Sequence, residues 1–399
     1  MSADAHILEP PDIWANWLPA RYQDKAPQLA KDADGGDAWL FASAAEADPI
    51  GLTATPGMPW DQFRWTGVTY DEARDGCYRG AARLDDMDAD GVHAEVLFPP
   101  QRTIGHFLGD DDDDFVRAGV DAYNAFLWEE FCAPDRNRLI GVAQIPSTGI
   151  DDAVDAVRKA KATGFRSVVI SMWPSGKDSI SEDDDAFWAA AADEAMPVCI
   201  HINMISRRAM PRPADLGQAR RTPALRQQLG PGGCQGRRQA VGRVLDGALD
   251  DRPAHLHRRV RALPRSARRH DRDRHRLDPH FLEQMDDRFW RATARGRTCR
   301  SRGRRRITGS RTCRRASCDD VGIRLRHEVD VASMMWSTDY PHHGNDWPRC
   351  ARRSTRPWPV PADERGRHRL RQRRTIFGLG DPRKAGRLPS ARKTMDRTT

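Results

Sequence analysis

Asp4 and His6 stand two residues apart in SADAHIL at the start of the chain. On an extended strand, residues i and i+2 share a face, so both side chains are expected on one side of it. A carboxylate beside an imidazole offers oxygen and nitrogen donors of the kind that zinc and manganese accept. Two further donors close strand-like runs: His201 within PVCIHIN (197–203), and Asp339 directly after ASMMWST (332–338). Each residue alone has an ordinary explanation, since a histidine on a strand commonly hydrogen-bonds within a core and D-x-H arises by chance. Together they form a candidate centre for one divalent ion, Zn or Mn, with coordination positions left open for water or substrate.

Four donors so far apart in the chain need a scaffold that brings strand ends to one place. Between residues 92 and 206 the apolar pattern alternates between strand and helix periods. Val92 to Phe98, Leu139 to Ile145, Phe165 to Met172 and Pro197 to Asn203 read as strands. Asp111 to Cys132, Asp151 to Thr163 and Asp183 to Glu194 read as helices, with Gly164 as a stop and the Asp110 to Asp114 run as a helix start or, alternatively, a cation site. Near-continuous apolar strands joined by short connections indicate parallel strands buried on both faces. With Ser2 to Ile7 as strand one, His201 ends strand five and Asp339 follows strand eight. The fold class is α/β, a (β/α)8 TIM-type barrel, in which functional groups gather at the carboxyl ends of strands.

Charge divides the chain sharply. Residues 1–206 carry 16 Lys and Arg against 37 Asp and Glu; residues 207–399 carry 49 against 20, and 47 of those cations are Arg. The domain reading follows this division: 1–206 as strands one to five, 207–318 as an Arg-rich irregular region with a helix-like island at 278–290, 319–348 as the strand-eight region, and 349–399 as a basic irregular tail. Strands six and seven have no visible counterpart in 207–318, which leaves the barrel incomplete there, and His270 and His275 in that text are not assigned. Losing two inward-facing strands would leave neighbouring edges unpaired, a large loss when burial contributes about 25 cal/mol per Å2 and net stability is about 5–15 kcal/mol. An Arg-rich region can adhere to phosphates, so a nucleic-acid binder is one alternative class, disfavoured by the scarcity of interleaved aromatics. A non-catalytic barrel remnant is another. The eight cysteines contain no CxxC pair and read as structural thiols. No apolar run of membrane-spanning length and no signal-peptide pattern occurs, so a cytoplasmic protein without a membrane partner is expected.

The words around the four donors resemble a known family. SADAHILEPPDIW (2–14), GVHAEVLFPP (91–100), RNRLIGVAQIP (136–146), PVCIHIN (197–203) and MMWSTDYPHHGNDWP (334–348) are similar to the amidohydrolase-related family, in the branch that holds aminocarboxymuconate-semialdehyde and resorcylate-type decarboxylases. The resemblance implies a barrel with a mononuclear divalent metal held by Asp4, His6, His201 and Asp339, the last also acting as acid/base, and a small carboxylate or carbonyl substrate. Hydrolysis and decarboxylation both fit that set. Phe98 and Trp173 could wall an aromatic substrate or plug the rim. His342 and His343 could meet a substrate anion, donate a proton, or simply keep a loop polar. Glu9 could support His6 or cap the turn at Pro10. A homo-oligomer is compatible with the pattern.

An interrupted texture is not what a disordered basic tail shows. Out-of-frame reading of a GC-rich gene yields Arg, Pro, Ala, Gly and Ser while losing Lys and aliphatics, which is the composition found here. Re-sequencing should reveal single-base insertions or deletions near codons 206, 277, 291, 318 and 349 that restore apolar periodicity; an intact frame across all five overturns this reading.

Overall fold

The computed structural model describes residues 1–42, 46–59, 62–177, 181–201, 268–271, 313–317, 334–343 and 345–350, the segments 268–271 and 313–317 as backbone alone. The chain opens with β1 (Ser2–His6) and α1 (Ile13–Trp17), then a small antiparallel sheet of β2 (Gln28–Lys31), β3 (Asp37–Leu40) and β4 (Asp48–Pro49). There follow α2 (Gly80–Asp90), β5 (Glu95–Phe98), α3 (Gln101–Leu108), α4 (Asp113–Phe126), β6 (Leu139–Gly141) and β7 (Ala143–Gln144). The remainder is α5 (Ile150–Thr163), β8 (Val168–Ile170), α6 (Asp185–Asp193), β9 (Val198–His201), β10 (Arg268–Asp271), β11 (Cys313–Ser317) and β12 (Met334–Trp336).

All strands except β2–β4 pair in parallel. β1, β5 and β6 form one sheet, and β7 to β12 form a second in chain order. Val142 alone separates β6 from β7. Its N–H donates to Leu97 O at 3.1 Å, whereas the next N–H, of Ala143, donates to Ser167 O at 3.1 Å, so one continuous stretch passes from the first sheet to the second. At the other end, Asp339 N–H donates to Asp4 O at 3.0 Å and His6 N–H to Tyr340 O at 2.6 Å, bringing β1 beside the stretch that follows β12.

The apolar strand runs are explained by two cores. A smaller cluster, containing Ala3, Val96, Phe98, Ile140, Val142, Val169, Cys199 and Met335, draws one face from β1, β5, β6, β8, β9 and β12. The larger cluster packs the other strand faces, such as Ala5, Leu97, Val168 and Ile200, against helix residues including Val116, Phe126, Val157 and Phe187. Strands with both faces covered have no polar face to alternate with.

Expected helix ends are found close to their signals. Asp112 accepts from Phe115 N–H at 3.2 Å and binds Lys25 Nζ at 2.9 Å, which makes the acidic run a helix start. Gly164 ends α5 with φ of 111°, a conformation that favours glycine. α4 continues through a π turn at Leu127–Phe131, so the helical stretch reaches the expected length. Among the described cysteines, Cys77, Cys132, Cys199 and Cys350 are buried thiols outside any disulfide. The expected helix at 278–290 and His275 lie outside the described residues.

One expectation is corrected. Strands six and seven were not visible in 207–318, yet β10 and β11 lie there and pair in parallel between β9 and β12. Strand pairing uses backbone N–H and C=O groups, which every non-proline residue carries, and the exposed edges of β9 and β12 template any extended segment placed between them. Side-chain periodicity therefore gave no warning of it. The sheet of β2–β4 and helices α2 and α3 also went unread: the strands run two to four residues and α3 eight, while α2 (GAARLDDMDAD) has too few large apolar residues to show a helical period.

Gly119 of α4 decides the approach of α3: a Cβ built there would meet the Phe107 ring at 2.1 Å. Helix propensity favours Ala over Gly by about 1 kcal/mol, whereas overpacking costs about 1–3 kcal/mol. Gly119→Ala should therefore lower the midpoint of chemical denaturation; a raised midpoint would show that Phe107 yields freely.

Candidate metal centre

β1, which carries the D-x-H pair, is irregular where it meets β5. Its register against β5 runs Ser2 with Glu95, Ala5 with Leu97 and His6 with Phe98, so β1 spends one more residue than β5 between the first two pairings. Such a bulge re-aims side chains. Ala3 accordingly joins the inner cluster and Ala5 the outer one, although strict alternation would put them on one face. Asp4 and His6 do converge, as expected, but a bulged strand carries them rather than a regular one.

His201, the last residue of β9, and Asp339, three residues past β12, meet that pair. His6 Nε2 lies 3.4 Å from Asp4 Oδ1 and 3.4 Å from Asp339 Oδ1, and His201 Nε2 lies 3.8 Å from Asp4 Oδ1. Asp4, His6 and His201 each present a donor atom within 4.8 Å of the others, and so do His6, Asp339 and His342. The His342 ring stands edge-on to His6, 4.5 Å between centroids. Asp339 has a φ of 58°, an uncommon region that Asp tolerates better than most residues. Its peptide is fixed there on both sides, by Asp339 N–H on Asp4 O and by His342 N–H on Asp339 O at 2.9 Å.

Burial is uneven across the set. Asp4, His6 and His201 are fully enclosed, while the Asp339 side chain keeps 21 % of its surface exposed. Desolvation would raise the Asp4 carboxyl, but His6, through contact and charge, and the His201 charge outweigh it and hold the group below its ordinary value. Asp4 Oδ1 nevertheless accepts no hydrogen bond. A buried carboxylate oxygen without a donor, ringed by two imidazoles and a second carboxylate, is the environment a divalent cation fits.

The remaining expected residues fall in different places. Phe98 is fully buried and stacks on the His201 ring at 5.0 Å and 24°, so its face is turned to a donor residue. Trp173, three residues beyond β8, packs partly buried against the larger core. His343 stacks on Phe63, 4.3 Å between centroids, and its N–H donates to Leu52 O at 3.1 Å, tying the segment before Phe63 to the rim. The Glu9 carboxyl meets the Thr103 hydroxyl and feels the Arg102 guanidinium, with Oε1 buried and accepting no hydrogen bond. His270 lies on β10 opposite Ile200.

No protein-family model and no curated protein matches this chain. Solved structures do. An amidohydrolase from Mycobacterium avium subsp. paratuberculosis superposes with a TM-score of 0.65 at 14 % identity, covering 92 % of this chain and 95 % of that one. A dihydroxybenzoic acid decarboxylase from Polaromonas sp., with bound manganese and the inhibitor 2-nitroresorcinol, gives 0.57 at 14 % identity over 95 % and 98 %. 5-Carboxyvanillate decarboxylase from Sphingomonas paucimobilis gives 0.54 at 16 % identity over 75 % and 82 %. The structural neighbours are amidohydrolase-family proteins. At these identities the likeness concerns the fold, and the α/β architecture with parallel strands agrees with it. No described helix is long and apolar enough to cross a membrane.

Sequence reasoning missed the buried charges Arg83 and Glu95, which lie behind the donor set and bind one another at 2.6 Å. A signal was present: Glu95 is a lone acid inside the otherwise apolar VHAEVLF, and a charge in such a strand requires a buried partner.

Burial raises the Glu9 carboxyl from 4.5 to about 7, despite the opposing influence of Thr103 and Arg102. Between those values the folded chain holds a proton that the unfolded chain has released, so stability falls as pH rises through this window, by on the order of 3 kcal/mol in total. Glu9→Gln mimics the protonated form. It should leave urea stability nearly unchanged at pH 4.5 and raise it at pH 8; a difference independent of pH would refute the assignment.

Proposed function

We propose that this chain is a metal-dependent carboxy-lyase built on a closed (β/α)8 barrel, acting on an aromatic carboxylate. The observation that carries this reading is the convergence of Asp4, His6, His201 and Asp339 at the carboxyl ends of β1, β9 and β12, with an undonated buried carboxylate oxygen among them. Two kinds of support accompany it. Neighbouring structures include decarboxylases of dihydroxybenzoate and carboxyvanillate, several with bound manganese. The two parallel sheets are also linked, through the continuous β6–β7 stretch on one side and by hydrogen bonds between β1 and the residues after β12 on the other, which favours the closed reading.

In this reading Asp4, His6, His201 and Asp339 hold one divalent ion, Mn or Zn. When bound, the ion polarises a substrate carboxylate or carbonyl oxygen and lowers the pKa of a nearby water toward neutrality. Asp339, the member of the set open to the mouth, delivers a proton to the ring carbon that bears the carboxylate. The electron pair of the breaking carbon–carbon bond returns to the ring as CO2 departs, and solvent restores the proton to Asp339. His342, beside His6, takes the substrate anion. Phe98 braces His201 from behind and Trp173 lines the rim on the β8 side.

Hydrolysis uses the same carboxylate differently, to take a proton from attacking water, and the amidohydrolase superposition favours keeping it as the second reading. Three measurements separate the outcomes. Elemental analysis should give about one Mn or Zn per chain, and His201→Ala and Asp339→Ala should each lose it. Incubation of the Mn2+-loaded chain with 2,6-dihydroxybenzoate should release CO2, and Asp339→Asn should lower that rate at least ~100-fold, the scale of general acid catalysis. Metal retained by both alanine variants sinks the ligand set; ester or amide cleavage without CO2 release replaces the lyase with the hydrolase.

A further inference from the structure

Behind the donor set, on the side away from the mouth, the guanidinium of Arg83 is fully buried among backbone oxygens. Arg83 sits in α2, and its Nε donates to Glu95 Oε2 of β5 at 2.6 Å. Nη1 donates to Gly76 O at 3.1 Å, and Nη2 to both His6 O at 3.0 Å and Tyr340 O at 3.2 Å. The guanidinium also lies over the Tyr340 ring, 4.0 Å from its centroid. The other Glu95 oxygen lies 3.4 Å from Thr338 Oγ1, which is 3.0 Å from Ser2 Oγ, and Ser2 Oγ donates to Asp4 O at 2.9 Å.

Those contacts are distributed with respect to the metal centre in a particular way. The carbonyls taken by Nη2 belong to His6, itself a donor residue, and to Tyr340, the residue after Asp339. Among the described residues, β1 and the stretch after β12 are joined by only two backbone hydrogen bonds, Asp339 N–H to Asp4 O and His6 N–H to Tyr340 O. Arg83 reaches both sides of that seam with one nitrogen, and Glu95 with Thr338 and Ser2 reaches it again one layer away. A buried ion pair stabilises a fold little better than apolar residues of equal volume. What Arg83 adds that a methionine would lack is a rigid fork of directed donors.

We infer that Arg83, oriented by Glu95, is a positioning residue for the metal centre, setting the spacing between the His6 ring and the Asp339 carboxylate by clamping the two backbones that carry them. This rests on the metal-dependent reading above. Residues that orient metal ligands from behind typically change affinity by about 10- to 100-fold when removed.

Arg83→Lys keeps the charge but offers a compact ammonium that cannot span all four acceptors. Arg83→Met/Glu95→Leu removes both charges together, so no unpaired ion is left in the interior to unfold the chain. For each, Mn2+ affinity is measured by titration calorimetry and the melting temperature is measured without metal. Both variants should bind Mn2+ at least ~10-fold more weakly than the parent, while the metal-free melting temperature of the double variant stays near the parent's. Parent-like Mn2+ affinity in either folded variant overturns the positioning role. A parent that binds no metal overturns both this inference and the reading it rests on, whereas a parent that binds and variants that bind equally well overturn this one alone.

Discussion

Asp4 is a carboxylate taken out of water with one oxygen that accepts no hydrogen bond, and an isolated charge in such a place costs far more than a fold of ordinary stability can absorb. The surroundings must therefore supply positive charge or directed donors. His6 and His201 stand at 3.4 and 3.8 Å and lower the carboxyl despite its burial. That compensation is incomplete by itself, since imidazoles are only partly charged near neutrality and a second carboxylate, Asp339, stands across His6. A divalent cation is the simplest completion, and the enclosed, oxygen- and nitrogen-rich set is suited to one.

Such a set can only be assembled by a scaffold that brings chain segments over 300 residues apart within a few ångströms. Parallel strands do this because all their carboxyl ends face one way, and each helix returns the chain to the opposite end. The bulge in β1 is a local adjustment to this arrangement: it lets Ala3 join the smaller core while Asp4 and His6 both turn to the centre, a combination that strict alternation along one strand does not give. The left-handed conformation of Asp339 is the matching adjustment on the other side of the seam, held by hydrogen bonds from both neighbours.

The polar groups of this molecule sort into two layers with different duties. Around the donor set, Asp339 keeps 21 % of its side-chain surface exposed, with His342 buried beside His6. Behind them, Arg83, Glu95, Thr338 and Ser2 form a buried mesh that touches carbonyls rather than side-chain donors. Glu9 belongs to neither: it lies beyond the end of β1 against Thr103 and Arg102, and its raised value reflects enclosure rather than chemistry.

The sequence by itself determined the parts that depend on local rules. Apolar runs of strand length, Gly164 and the acidic start of α4 marked where elements begin and end, and D-x-H, His201 and Asp339 were legible because their residue types are unusual at strand ends. Tertiary structure decided the rest. Whether β10 and β11 form is settled by the unpaired edges of β9 and β12, and Arg-rich text carries no period that could announce it. The bulge in β1 is a matter of register against β5, invisible in either strand alone. The partnership of Arg83 with Glu95, His6 and Tyr340 joins groups up to 257 residues apart in the chain; such contacts are fixed by how strands and helices close on one another, and no local pattern encodes a distance.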